Sequence, residues 1–293
     1  MTDGARTTAG PSVLITGATD GLGRAMAVFL AANGYRVFAT GRSAEKRASL
    51  ERLADERKLQ IETLDMDVSD DASVSRGVGR VLDRAGEIDI LINNAGVAYI
   101  AALEELRLDD LRRQYETNVI GVLRVTQAVL PGMRERRSGR ILNVSSIAGK
   151  IALPLMGAYA SSKHALEGLS DSLRLELAPF GVRVVLIEPG SIRTNMSNTA
   201  LDLSAAYASK AERSPYASIY RAFRNSWEKT ARASRTTPED CARVILRAIL
   251  DSPPRLRYTV TPRARVGVVL KRFLPDRMLD KRILHSMGLD KPL

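Results

Sequence analysis

An α/β fold, a doubly wound parallel sheet with helices on both faces, is predicted by three features of the sequence. Short apolar runs alternate with stretches of helical periodicity along most of the chain. The runs are too continuously apolar for strands with one wet face, as expected of a parallel sheet covered on both sides. The first run ends in a glycine-rich turn, Gly17-Ala18-Thr19-Asp20-Gly21-Leu22-Gly23, that leads straight into a helical pattern. The 293 residues suffice for one well-buried domain, and nothing in them requires a second.

In order, Ser12 to Thr16 is the first strand, and the helix carrying Ala25, Met26, Phe29 and Leu30 stops at Asn33-Gly34. Tyr35 to Thr40 is the second strand, followed by a charged helix from about Ser43 to Lys58 and a third strand from Gln60 to Met66. Asp70 to Ala85 is helical, and Ile88 to Ile92 is a fourth strand closed by Asn93-Asn94-Ala95-Gly96. Asp109 to Arg136 reads as one long helix interrupted near Pro131-Gly132. Arg140 to Val144 and Val182 to Ile187 are the fifth and sixth strands, with a helix through Tyr159 between them. Pro238-Glu239-Asp240 opens a helix that ends before Pro253-Pro254, and Tyr258 to Val260 adds a last strand, about seven in all.

Composition narrows the setting. Apolar residues at 45% and charged ones at 26% are ordinary for a soluble globular chain. Cys241 is the one cysteine, so no disulfide can close within the chain and a reducing compartment is expected. Residues 1–11 are small and polar, read as a flexible N-terminus without the apolar centre of a signal peptide. With no apolar run long enough to cross a bilayer, a cytoplasmic location is expected. The net charge of +11 is uneven: residues 255–282 hold nine Lys or Arg against Asp276 and Asp280. The rest is only mildly basic, which argues against a general nucleic-acid surface.

The chemistry-bearing residues follow strand ends. A glycine turn between strand and helix is where a phosphate finds bare backbone N–H groups and a helix N-terminus. At the end of the second strand, an acidic residue would hold an adenosine 2′-hydroxyl and repel a 2′-phosphate. This chain has Thr40-Gly41-Arg42 there, a cation placed for the phosphate, so NADP(H) is favoured with Arg42 as its main contact, and NAD(H) is the alternative. Asp20, in the phosphate loop, works against that choice. Downstream, Tyr159 and Lys163 lie one helical turn apart. An ammonium that close is expected to lower the phenol's pKa below its usual value near 10 and fit it for proton transfer near neutral pH. Ser146 precedes them at the fifth strand's end; Ser145 competes with it but would point the other way. The two histidines, His164 and His285, form no ligand cluster, and the chemistry needs no metal.

Taken together, Thr16-Gly17-x-x-x-Gly21-x-Gly23, Asn93-Asn94-Ala95-Gly96, Asn118-Val119-x-Gly121, Ser146, Tyr159-x-x-x-Lys163 and Pro189-Gly190 resemble the short-chain dehydrogenase/reductase family, in its single-domain oxidoreductase branch. The likeness keeps the family's order from residue 12 to about 194. It implies a Rossmann-type sheet and hydride transfer between a nicotinamide and a ketone or secondary alcohol. On the matching positions it implies that Tyr159 passes the proton, Ser146 holds the reacting oxygen, Lys163 holds the nicotinamide ribose and Asn118 anchors a relay water. Cofactor contacts would come from Thr16, Gly17, Gly21, Leu22, Gly23, Arg42, Asp67, Val68, Asn94, Ala95, Gly96, Pro189, Gly190, Ile192 and Thr194, besides Tyr159 and Lys163. The family's spacing to Tyr159 favours Ser146 over Ser145. A homodimer or homotetramer built on the two long helices is a further implication.

The dehydrogenase domain is thus expected over 12–262, with residues 195–235 breaking the strand–helix rhythm. Tyr216, Tyr220, Phe223 and Trp227 recur there at helical spacing, either packing a helix or lining a lid over an apolar substrate. Tyr216, Tyr220 and Phe223, with Ser146 and Tyr159, are the candidate substrate contacts. Residues 263–293 form a basic amphipathic extension; over 263–284 cations interleave with apolar residues, either a helix packed over the substrate end or a peripheral membrane contact. The resemblance, through family members with such a tail, implies a bulky apolar carbonyl of steroid, retinoid or lipid type, which suits such a lid. The alternatives are a 3-oxoacyl-thioester reductase, whose carrier protein would meet the basic surface, and a non-catalytic dinucleotide sensor or scaffold.

Overall fold

A computed structural model of the chain describes residues 10–192 and 196–290. Its strands are β1 (Ser12–Ile15), β2 (Arg36–Thr40), β3 (Ile61–Leu64), β4 (Ile90–Asn93), β5 (Gly139–Val144), β6 (Val182–Glu188) and β7 (Arg257–Thr259). They form one seven-stranded sheet in the order β3-β2-β1-β4-β5-β6-β7, parallel throughout. The chain winds outward from β1 to β3, returns to place β4 on the other flank of β1, and winds outward again. That reversal opens a crevice at the strands' carboxyl ends, the usual ligand position in such sheets.

The helices are α1 (Gly21–Ala32), α2 (Ala44–Arg57), α3 (Asp71–Ala85), α4 (Leu108–Tyr115), α5 (Gly121–Glu135), α6 (Gly157–Leu177), α7 (Met196–Leu203), α8 (Ala205–Ala208), α9 (Ala217–Ala233), α10 (Pro238–Leu250), α11 (Pro262–Phe273) and α12 (Asp276–Met287). Strand alternation divides the core between them. Val13, Ile15, Val37, Ile92 and Ile187 face α1 and α10, against Met26, Leu30, Ile245 and Ala248. Leu14, Phe38, Leu91, Ile141 and Val184 face the other way, onto Val74 and Val78 of α3, Val125 and Met133 of α5 and Leu177 of α6. Both strand faces are dry, which is why the runs read as continuously apolar.

Two boundaries differ from the sequence reading. The long helix over 109–136 is not interrupted at Pro131: α5 runs through it to Glu135. Pro131 lies on the exposed side, where a carbonyl deprived of its partner can be hydrated. The interruption comes earlier, as a π turn at Glu116–Ile120, where the Gly121 N–H bonds back to the Glu116 carbonyl. Such single wide turns often sit at functional sites, and this one carries Asn118. The basic extension is two helices rather than one, α11 and α12, parted at Leu274-Pro275, as expected where a proline restricts the residue before it.

Candidate active site

The turn after β1 is tied to the turn after β4. Thr16 Oγ1 accepts hydrogen bonds from the N–H groups of Asn94 and Ala95, both 3.0 Å, and Asn94 Nδ2 donates to the carbonyls of Thr16 and Gly17, also 3.0 Å. The side chain of Asn94, expected to line the cofactor, is therefore committed to the turn itself. Glycine is required here by contact: a Cβ on Gly23 would lie 2.2 Å from the Gly17 carbonyl oxygen, and one on Gly17, whose φ is +62°, 2.9 Å from Ala95 Cα. Leu22 packs inward on the core. The result is a bare-backbone cradle at the N-terminus of α1. Asp20 caps that terminus, accepting from the Gly21 N–H at 2.7 Å, and its charge is met by the ammonium of Lys46.

Beyond β2, Arg42 is largely exposed and reaches Asp67 only at 3.4 Å. Burial works to raise the Asp67 pKa, but hydrogen bonds from Ser69 and the charge of Arg42 prevail and hold it below the ordinary carboxylate value. Val68 is buried, and its carbonyl accepts from Arg124 at 2.6 Å. Arg47, also near the end of β2, bonds the Gly41 carbonyl and Asp65. Arg42 is thus the more loosely held of the two arginines.

Asn118 is fully buried and makes three hydrogen bonds: Oδ1 accepts from the Val97 N–H at 2.8 Å, while Nδ2 donates to the Val97 carbonyl at 2.9 Å and to Ser162 Oγ at 3.0 Å. The π turn aims this amide at the β4 loop and at α6 together. Gly96 lies against it: a Cβ there would meet Asn118 Oδ1 at 3.3 Å and Lys163 Nζ at 3.9 Å.

Ser146, Tyr159 and Lys163 come together as expected. Ser146 ends the β5 segment in extended backbone, with its hydroxyl accepting from the Ala148 N–H at 3.1 Å. That hydroxyl also faces the Tyr159 phenol. Ser145 points elsewhere, beneath Gly149, where a Cβ would come 2.9 Å from its oxygen. Lys163 is buried and donates to the Val144 carbonyl at 2.8 Å, with Nζ 5.7 Å from the centre of the Tyr159 ring. Here the expected acidity is reversed. Burial raises the Tyr159 pKa above its ordinary 10.0, with only the Ser146 hydroxyl working to lower it. Lys163 bears the strain instead: burial pushes its ammonium down to about 8, while Glu167 pulls it up. In the free chain the phenol is an acid that keeps its proton.

Tyr159 belongs to an apolar cluster with Ile100, Leu155, Met156 and Phe223, against which Tyr216, Tyr220 and Trp227 pack. Phe223 and Trp227 stack at 5.5 Å. The aromatic stripe of α9 therefore closes over the reacting tyrosine, but its two phenols turn away from it. Tyr220 donates to Glu105 at 2.9 Å and accepts from the Ala102 N–H, and Tyr216 donates to Glu104. They tether α9 to the loop after β4. On the far side, Pro189 accepts from the Ile147 N–H at 2.9 Å, Gly190 packs against Thr261, and Ile192 joins the core. Thr194 lies outside the described residues.

Several contributors were not read from the sequence. Ser162, which holds Asn118, looks like any small helix residue between Tyr159 and Lys163. Behind Lys163, the buried carboxylates Glu167 and Glu188 face Lys150 and Arg257: Lys150 bonds Glu167 at 2.6 Å, and Arg257 reaches Glu167 at 3.1 Å, Glu188 at 3.5 Å and Asp171 at 2.6 Å. Burial, with Glu167 nearby, raises the Glu188 pKa against the pull of Lys150 and Arg257. Only the placement of Glu188 at the end of an apolar strand hinted at this group.

Comparison with known proteins agrees with this geometry. The family model described as short chain dehydrogenase matches residues 11–203. The chain belongs to the short-chain dehydrogenase family. This dehydrogenase is 35% identical over 288 residues to human (Homo sapiens) 17-beta-hydroxysteroid dehydrogenase type 1, covering 96% of this chain and 81% of that one. It is 34% identical over 295 residues to Bos taurus retinol dehydrogenase 8, covering 98% and 91%. Among solved structures, a Burkholderia phymatum short-chain dehydrogenase/reductase in complex with NAD superposes with a TM-score of 0.79 at 27% identity, over 92% of this chain and 95% of that one. Actinorhodin polyketide ketoreductase with NADPH superposes at 0.75 and 28% identity, over 88% and 97%. The dehydrogenase is accordingly an oxidoreductase acting on alcohol and carbonyl groups.

Proposed function

We propose that this dehydrogenase uses NADP(H) to interconvert a bulky apolar ketone and its secondary alcohol, with Tyr159, Ser146, Lys163 and Asn118 as its working residues. The observation that carries the reading is the setting of the Tyr159 hydroxyl, beside Ser146 and inside the apolar cluster closed by Phe223.

The residues present fit a dinucleotide. The cradle of Gly17, Gly21 and Gly23 is bare backbone: a Cβ would collide at Gly17 and Gly23, Gly21 has a φ of +50°, and α1 points its N-terminus there. Gly96 keeps open the approach to Lys163. Arg42, loosely held and largely exposed, can turn to a 2′-phosphate. The dinucleotide supplies hydride when bound; the chain's residues position the carbonyl and manage one proton.

Ser146 donates to the carbonyl oxygen, which polarises it and offsets the charge that develops there. Tyr159, held protonated by burial, delivers its proton to that oxygen in reduction and recovers it in oxidation. Lys163 supplies positive charge on the inner side. Asn118 fixes the β4 loop against α6 and so keeps Gly96 and Lys163 in register. The apolar wall of Ile100, Leu155, Met156 and Phe223 has no charged group and suits a hydrocarbon frame, in keeping with the hydroxysteroid and retinol dehydrogenases among the relatives.

The test is a screen of steroid, retinoid and long-chain ketones, small ketones and acyl thioesters, with NADPH and with NADH. The proposal expects turnover of large apolar ketones with NADPH, abolished in Tyr159→Phe while dinucleotide binding persists. Turnover confined to acyl thioesters, or an unaffected Tyr159→Phe, sinks it.

A further inference from the structure

We propose that α11 and the start of α12 form a docking face for an anionic lipid bilayer. A surface helix normally turns its apolar stripe inward, and α11 does the opposite. Val266, Val269 and Phe273, spaced to fall on one stripe, are 60%, 55% and 74% exposed, and Phe273 is the most exposed large hydrophobic side chain among the described residues. The inner side of the helix is made of small residues. Ala264 is buried, and a Cβ on Gly267 would lie 3.2 Å from Ile151 Cδ1 and 3.6 Å from Ile147 Cδ1. The outward stripe is therefore not a packing face left over; the packing face is elsewhere on the same helix.

Cations frame the stripe. Arg265 and Arg272 stand along one flank, and the Arg272 guanidinium lies 5.8 Å from the Phe273 ring centre. Past the break at Leu274-Pro275, exposed Met278 is joined by Arg277, Lys281 and Arg282. Among the described residues, Arg272, Arg277, Lys281 and Arg282 enter no ion pair; Lys271 pairs with Asp276. The α11 sequence contains no acidic residue at all. Apolar side chains with a cationic rim are what an interfacial helix presents to headgroups and acyl chains. A second copy of the chain is a poorer occupant, because antiparallel twofold pairing on this stripe would bring the Arg265 and Arg272 flank against its own copy.

The position gives the face a use. Through Ile147 and Ile151, α11 lies on the turn that follows Ser146, so a docked bilayer would sit about one helix diameter, roughly 10 Å, from the site. Membrane-dissolved substrate could enter without crossing water. The docking claim itself does not depend on which ketone is reduced.

The 293-residue chain is sedimented with vesicles of phosphatidylcholine mixed with phosphatidylglycerol, and with phosphatidylcholine alone. The expected result is co-sedimentation with the mixed vesicles, weakened by salt. Arg265→Gln with Arg272→Gln should lower it by roughly twenty-five-fold, at about fivefold per arginine. Val269→Ser with Phe273→Ser should lower it by at least about tenfold. Both double variants should retain the parent melting temperature and turnover of a water-soluble ketone, which separates lost docking from lost folding. Protein remaining in the supernatant, or equal binding to both vesicle types, overturns the proposal. So does light scattering that shows the parent as an oligomer and the Val269→Ser, Phe273→Ser variant as its subunit, since the stripe would then be a self-interface.

Discussion

Lys163 Nζ lies 5.7 Å from the centre of the Tyr159 ring, yet it gives its hydrogen bond to the Val144 carbonyl at 2.8 Å. The ammonium is buried at a cost, shown by a pKa pushed down from 10.5 to about 8. Between those values the unfolded chain binds the proton and the folded chain does not, so stability rises with pH across that window and the penalty is complete below about 8. At 1.36 kcal/mol per unit the penalty is about 3 kcal/mol. Lys163→Met should therefore be the more stable protein at neutral pH, by roughly 2–4 kcal/mol, while losing most turnover. Urea unfolding at neutral and alkaline pH would show this; a variant destabilised at both would contradict it.

The phenol of Tyr159 makes the two reaction directions differ in pH dependence. Its pKa is raised above 10.0 by burial despite Ser146, so the protonated form consumed in ketone reduction dominates through the neutral range. Reduction should stay level as pH rises to about 9 with respect to this group. Alcohol oxidation needs the phenolate and should gain rate with pH. Profiles of kcat/KM in both directions check this, and a reduction rate that falls between about pH 6 and 8 would count against it.

Arg42 should decide between the dinucleotides. Because it is largely exposed and held only at 3.4 Å by Asp67, its removal costs the fold little. Arg42→Ser is expected to raise KM for NADPH by about tenfold to a hundredfold, equivalent to about 1.4–2.8 kcal/mol, and to leave NADH little changed. Equal effects on both cofactors would remove the assignment.

Asn118→Ala strands the N–H and carbonyl of Val97, both bonded to the lost amide, while the Ser162 hydroxyl loses one donor and keeps its bond to the Tyr159 carbonyl. Unsatisfied buried groups of this kind cost about 1–3 kcal/mol each when nothing replaces the partner. A loss of stability in that range with a drop in kcat larger than the change in KM is expected. Thermal unfolding and steady-state kinetics on the same preparation would check both.

The ionic group behind the site gives a stability prediction of its own. Arg257 touches Glu167, Glu188 and Asp171, and Arg257→Met leaves the buried Glu167 and Glu188 with Lys150 as their one remaining ion-pair partner. A loss of roughly 3–5 kcal/mol is expected. Adding Glu188→Gln should restore part of it, because the repulsion between carboxylates falls. Unfolding free energies for the single and double variants settle the coupling.

The alternation of strands and helices and the meeting of Ser146, Tyr159 and Lys163 were legible because both follow from local signals: apolar runs, glycines at strand ends and a four-residue helical step. What resisted reading depends on three-dimensional neighbours. The direction of the Tyr159 shift turns on burial under α9, which no spacing displays; sequence proximity shows Lys163 nearby but not that its ammonium binds Val144. The period of Tyr216 and Tyr220 is visible, so they read as packing or lid residues, whereas Glu104 and Glu105, which accept from their hydroxyls, lie more than a hundred residues away. The interruption was placed at Pro131 because proline is the visible breaker, whereas the π turn at 116–120 has no residue that announces it. A helix with its apolar stripe outward has the same periodicity as one with it inward, so 263–284 admitted both a packing and a membrane reading.

The closure of α9 over Tyr159 links acid strength to occupancy. Phe223 and the reacting phenol share one dry enclosure, so a guest long enough to prise the two apart also admits water to the hydroxyl and lets it ionise more readily. Substrate length and proton affinity then cannot be tuned separately: enlarging the cleft for a longer hydrocarbon would retune the acid as well.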